Sequence, residues 1–160
     1  MFAKSSRWQA GFTLVELIAI LMVVGVLAVV AMPKLDAGSS LRNDAARDEA
    51  LAALRLAGQT ALSHRRLVCA EVAPGAVTLR IASARGAAAC DTAYAGPDGQ
   101  AAFTANTGAA TFALSPSGAL YFQPDGRVTS DGAGTAVSNR TLTVSNASSI
   151  TISGETGFVR

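Results

Sequence analysis

The sequence predicts an α+β fold. A long amino-terminal helix, apolar enough in its first half to cross a bilayer and amphipathic in its second, packs on an antiparallel β-sheet or small β-sandwich. Three observations carry this expectation. Residues 12–32 hold Glu16 as their only charge and are otherwise almost wholly apolar. Residues 41–63 are rich in Ala, Leu and Arg, which are good helix formers. After Arg66, short runs of Val, Ile, Thr, Phe and Tyr alternate with Gly, Pro, Asn and Asp, the texture of strands and turns. The chain thus divides into a leader (1–11), a transmembrane helix (12–32), an amphipathic continuation of that helix (33–66) and a β-rich domain (67–160).

At 1.5 Å per residue the apolar run spans roughly 31 Å, the thickness of a bilayer's hydrocarbon core. Lys4 and Arg7 precede it and favour retention of the leader on the cytoplasmic side, which places the remainder of the chain outside. A secretory signal peptide has a shorter apolar core followed by a small-residue cut site. Here the run is too long, it ends in Met32-Pro33-Lys34, and the cut site that the sequence offers, Gly11, comes before it.

Glu16 sits in this run at a cost, since a carboxylate at the centre of a span is worth about 2.5 to 3.5 kcal/mol against insertion and less near an interface. One reading is that it snorkels to the surface. The other is that it is partnered: a cut after Gly11 creates an ammonium group on Phe12, four residues away and on the same helical face, within a subunit or between neighbours.

Gly11-Phe12-Thr13-Leu14-Val15-Glu16-Leu17-Ile18 resembles the class III signal of type IV pilins and type II secretion pseudopilins. The resemblance implies that a prepilin peptidase cleaves between Gly11 and Phe12 and methylates the new Phe12 amine. It also implies that Glu16 sets register against the next subunit, and that Pro33 is a helix-distorting proline. Its partners are then the peptidase, other pilin or pseudopilin subunits and an inner-membrane assembly platform. The small residues Ala19, Gly25, Ala28 and Ala31 permit close helix approach. Gly25 and Pro33 make that stretch the one expected to lose helix on packing.

Composition bounds the rest. The chain has 160 residues, 50% of them hydrophobic, enough for one span and one domain of ordinary size. Its net charge of +2 partly belongs to the leader: without Lys4 and Arg7 the 13 basic residues become 11, matching 11 acidic ones. That balance argues only weakly for an anionic partner. Cys69 and Cys90 fall in the part that the topology places in an oxidising compartment, so a disulfide is expected; two buried thiols are the other reading. Such a bridge closes a loop of about 20 residues, worth on the order of 3 kcal/mol in the chain-entropy model.

Along the second half of the helix, Leu51, Leu54, Gly58, Ala61 and Leu62 define the apolar face, and Asp44 with Arg47 a surface pair. Gly38-Ser39-Ser40 invites a bend. Strands are expected near 67–72, 76–82, 102–105, 111–114, 120–123, 141–145 and 149–153, with turns at Pro74-Gly75, Ser115 to Gly118, Pro124-Asp125-Gly126 and Asn146 to Ser148. Residues 85–99 read as a loop tied by the disulfide, and residues 131–138 as a mobile, exposed glycine-rich loop. Leu120 to Val128, Ser149 to Ser153 and Thr156 to Arg160 resemble the closing strands of minor pilins and pseudopilins of the GspH/FimT type. A minor pilin, including the mannose-sensitive haemagglutinin kind, and a secretion pseudopilin are equally compatible with these residues.

Other chemistry has little to stand on. His64, the one histidine, lies beside Arg65 and Arg66 at a predicted helix end, where cations are favoured by the helix dipole, and no nucleophile or orienting acid accompanies it. The chain is therefore not expected to be an enzyme or to carry a cofactor. Asp125 and Asp131 read as turn residues more readily than as calcium ligands. Some FimT-type relatives bind DNA, and Arg65, Arg66, Arg80 and Arg85, or Arg127, Arg140 and Arg160, are candidates to converge. They form no run, so DNA binding in uptake is the alternative to a purely structural subunit of the inner membrane, single-pass, with a periplasmic carboxyl-terminal domain.

Overall fold

A computed structural model describes residues 13–94, 96, 103–106 and 110–160, with side chains described throughout these except over 28–40 and 103–106. The expected cut between Gly11 and Phe12 lies outside the described residues. The chain forms two compact units that divide between Gly38 and Ser39, inside the Gly-Ser-Ser sequence where a bend was expected.

Helix α1 runs from Leu14 to His64 and is α-helical across Gly25, Pro33 and Gly38. Its amino terminus is capped by Thr13, whose Oγ1 accepts the Glu16 backbone N–H at 3.3 Å, and Leu17 N–H closes the first turn on the Thr13 carbonyl. At the other end Arg65 takes the left-handed conformation (φ 51°) and Arg66 N–H reaches back to the Ala61 carbonyl at 3.3 Å, the closure that usually employs glycine.

In the first unit, every large apolar side chain described from Leu14 to Leu27 is between 45% and 74% exposed, so none of them is buried by another described residue. Among the described residues no helix is long and apolar enough to cross a membrane. The side chains of residues 28–32 of the expected span lie outside the described ones.

In the second unit, α1 buries Ala46, Ala50, Ala53, Leu54, Ala57 and Ala61, a stripe at intervals of three and four residues. This corrects the expected face. Leu62 is 52% exposed, and the seam is built mainly of alanine, which brings the helix axis close to the sheets. At Gly58 a Cβ would meet the Phe122 ring at 3.6 Å, ordinary contact, so that position packs on the ring without needing to be glycine. Arg47 also departs from expectation: its guanidinium pairs with Asp48 at 3.1 Å and donates to the Ser148 carbonyl at 2.9 Å, not to Asp44.

Two antiparallel sheets complete the unit. β1 (Val68–Ala73) and β2 (Ala76–Ile81) form a hairpin across Pro74-Gly75, with Ala73 opposite Ala76. The far edge of β2 pairs with β3 (Thr92–Ala93) and β4 (Phe103–Asn106), and the far edge of β1 with β6 (Leu120–Phe122), which pairs in turn with β7 (Val128–Thr129). The second sheet has the order β5 (Phe112–Ser115), β8 (Arg140–Val144), β9 (Ile150–Ile152). Alternation along β8 puts Leu142 and Val144 inside and leaves Thr143 outside, as the hydroxyl-apolar pattern requires. One core joins the helix stripe to both sheets through Val68, Ala70, Val77, Leu79, Leu120, Phe122, Leu142 and Ile152.

The strands β3 and β7 were not expected. Nor is the glycine-rich loop free: Asp131 takes the backbone N–H groups of Thr135 (3.0 Å) and Ala136 (2.7 Å), and Thr129 bridges to Val137.

Candidate functional site

Of the residues on which assembly was expected to depend, the first turns of α1 carry Glu16; Gly11 and Phe12 lie outside the described residues. Thr13 and Glu16 stand three apart in the pattern Thr-x-x-Glu, so the cap on Thr13 Oγ1 fixes the turn that carries the carboxylate. Sequence reasoning missed Thr13, although that four-residue signal was present. Glu16 shares a face with Ala19, Ile20, Val23 and Val24, at intervals of three and four residues. A single carboxylate therefore projects from an otherwise apolar, exposed helical face. Such a face gains by burial only where the charge finds a cation. The Phe12 amine proposed for that role lies outside the described residues, as does the side chain of Pro33. Among the described residues, nothing lies within 4 Å of where a Cβ on Gly25 would stand.

In the second unit Cys69 and Cys90 are joined in a disulfide, 21 residues apart in sequence with Cα atoms 6.0 Å apart. Strand alternation explains why Cys69 is available for it. Val68 and Ala70 point into the main core, while Cys69 points to the opposite face, where it packs with Leu67, Ala82 and Cys90.

Arg140 and Arg160 line one surface pocket, yet most of the candidate arginines are bonded within the fold. Arg80 donates to the carbonyls of Cys90 (3.2 Å) and Asp91 (2.9 Å), Arg127 pairs with Asp125 at 2.7 Å, and Arg160 Nε bonds Thr151 Oγ1 at 3.1 Å. Arg140 is only 5% exposed and donates to the carbonyls of Pro116 and Ser117; its Nε is a buried polar atom with no partner among the described residues. These guanidinium groups fasten loops. His64, Arg65 and Arg85 are exposed, and Arg66 half-buried.

Asp125 and Asp131 face different groups. Asp125 accepts from the Arg127 backbone N–H and guanidinium, and these bonds hold its carboxyl below the ordinary value of 3.8. Asp131 is lowered in the same way, first by the Thr135 backbone N–H. Among the described residues no group of three or more potential metal ligands occurs.

Compared with protein-family models, with curated proteins and with solved structures, the chain matches none.

Proposed function

We propose that this chain is a minor pilin or pseudopilin: a structural subunit held in the bacterial inner membrane, cut after Gly11 by a prepilin peptidase, methylated on Phe12 and drawn by an assembly platform into a type IV pilus or type II secretion pseudopilus. The observation that supports it most is the position of Glu16, alone among exposed apolar side chains on the first turns of α1. The resemblance of Gly11 to Ile18 to the class III signal supplies the chemistry of cleavage.

The mechanism is assembly. In the bilayer the apolar face from Phe12 to Met32 is surrounded by lipid. In the filament it exchanges lipid for neighbouring helices, an exchange driven by close packing at small residues rather than by a hydrophobic gain. Glu16 leaves the interface only where a terminal amine meets it, which fixes the axial register. Gly25 and Pro33 then allow the bundled helices to adjust. The alternative, a subunit that binds DNA during uptake, has less support, because Arg80, Arg127, Arg140 and Arg160 are bonded within the fold.

Intact mass after co-expression with a prepilin peptidase tests the reading. The expected product lacks Met1 through Gly11, carries one added methyl group and has two fewer hydrogens than the dithiol form. A product that keeps its leader in the presence of active peptidase refutes the assignment.

A further inference from the structure

Buried apolar side chains of the second unit fall into two clusters of unequal size. The main one joins α1 to both sheets and contains neither cysteine. The smaller one consists of Leu67, Cys69 and Ala82, with Ala87, Cys90 and Tyr121 packed against it. The disulfide is thus central to the small cluster and absent from the large one.

The loop that hangs from it, residues 83–91, is closed at its base by Asp91, which accepts the Ser83 backbone N–H at 2.7 Å, and by Arg80, which holds the carbonyls of Cys90 and Asp91. Farther out, Ala88 meets Gly132 backbone to backbone: a Cβ on Gly132 would lie 1.8 Å from the Ala88 carbonyl oxygen. Gln123 also holds Gly132. The Gln123 amide nitrogen donates to Thr129 Oγ1 at 2.8 Å and to the carbonyls of Asp131 and Gly132 at 3.3 and 3.4 Å. Asp131 then organises Thr135 and Ala136. The disulfide therefore anchors the loop whose Ala88 meets Gly132, and Gly132 leads into the glycine-rich loop.

We propose that the Cys69–Cys90 disulfide is a reducible latch for both loops, so that the surface formed by residues 83–91 and 131–136 keeps its shape only in the oxidised protein. The two cysteines line a surface cavity of about 210 Å³ together with Glu71, Arg80 and Tyr121. Cys69 is buried and Cys90 partly exposed, which makes the Cys90 sulfur the point of attack. A thiolate of a dithiol reductant attacks Cys90 Sγ, and the S–S bond breaks with Cys69 leaving as a thiolate that takes a proton. The reductant's second thiolate attacks the mixed disulfide, closes the reductant's own disulfide and releases Cys90, which is protonated in turn. Two electrons and two protons pass from the dithiol to the protein. Residues 83–91 then move off Gly132, and residues 131–136 loosen while the main core remains intact.

Hydrogen exchange on the full chain in detergent, oxidised and after dithiothreitol with alkylation, tests this. A Cys69→Ser, Cys90→Ser double variant serves as the unalkylated control. The Ser83 amide and amides 134–136, each hydrogen-bonded, are expected to exchange at least about tenfold faster on reduction, whereas those of Leu142, Val144 and Ile152 stay within about twofold, as local opening requires. Gly132→Ala, with the disulfide intact by mass, is expected to release 134–136 in the same way. Unchanged exchange at 134–136 after reduction or in Gly132→Ala overturns the proposal. So does an equal loss in β8 and β9, which would make the bridge a staple of the entire fold.

Discussion

Arg55 on helix α1 donates from Nε to the Val159 carbonyl oxygen at 3.1 Å, joining positions 104 apart in the chain. Val159 lies beside β9: it bridges Ile152, and Arg160 exchanges hydrogen bonds with Thr151, so the backbone of Val159 faces away from the strand. The helix supplies the donor that this outward carbonyl lacks. Arg55→Ala is expected to cost about 1 kcal/mol, below the roughly 1.5 to 3 kcal/mol of a charge-assisted bond because Arg55 is exposed. Urea unfolding followed by tyrosine fluorescence checks it, and an unchanged midpoint would show the bond to be incidental.

The alanine seam of α1 makes a sharper demand. Leu54 is fully buried, and Leu54→Ala is expected to lose about 2 to 5 kcal/mol by removing buried methyls and leaving a cavity. Leu62, chemically identical and only eight positions on, is 52% exposed, so Leu62→Ala should shift stability by no more than about 0.5 kcal/mol. Equal losses at the two positions would contradict the observed face.

At the carboxyl end of α1, Arg65 holds φ at 51°, a conformation that costs an L side chain about 1 kcal/mol and glycine nothing. Arg65→Gly is expected to raise stability by a few tenths to about 1 kcal/mol, the lower figure reflecting glycine's greater freedom when unfolded. A lower thermal midpoint in the variant would mean that the arginine side chain contributes more than its backbone costs.

Asp131 ties the glycine-rich loop through its charge. Because bonds from Thr135 and Ala136 lower its folded-state value, the stabilisation is fully present above the ordinary value of 3.8 and is lost as pH falls through the lowered one. The Thr135 and Ala136 amide shifts should titrate together with a midpoint below 3.8 in the wild type and show no such step in Asp131→Ala. A wild-type midpoint at or above 3.8 would contradict the bonding.

Periodicity made the long helix and the strands around Val77, Phe112, Leu142 and Ile150 readable, because each alternates or repeats over enough residues to show one covered face. β3 and β7 are two residues long and sit among Gly, Ala and Asp, where no period can develop; β7 exists because the turn from Gln123 to Arg127 returns it alongside β6. Hydropathy ranked Leu62 above Ala57, yet the register of the helix on the sheets decided their burial, and that register depends on partners such as Phe122, far along the chain. The approach of Gly132 to Ala88 has no local signature at all, which is why residues 131–138 read as free. Glu16 was visible from sequence for the opposite reason: a lone charge in an apolar run is a local anomaly.

Thr13→Ala removes the cap on that carboxylate's turn and is expected to cost about 1 kcal/mol of local helix stability. Its amide exchange at Glu16 and Leu17 should quicken several-fold; no change would show the cap to be idle.

The claim that Glu16 governs entry into a filament is tested most directly by Glu16→Ala in a strain that assembles the fibre, scoring the fraction of processed subunit recovered in sheared filaments. The account predicts that the variant is still cleaved after Gly11 and stays in the membrane fraction, with incorporation reduced at least about tenfold, the loss expected when a buried amine is left without its carboxylate. Recovery in filaments at the wild-type level would contradict it.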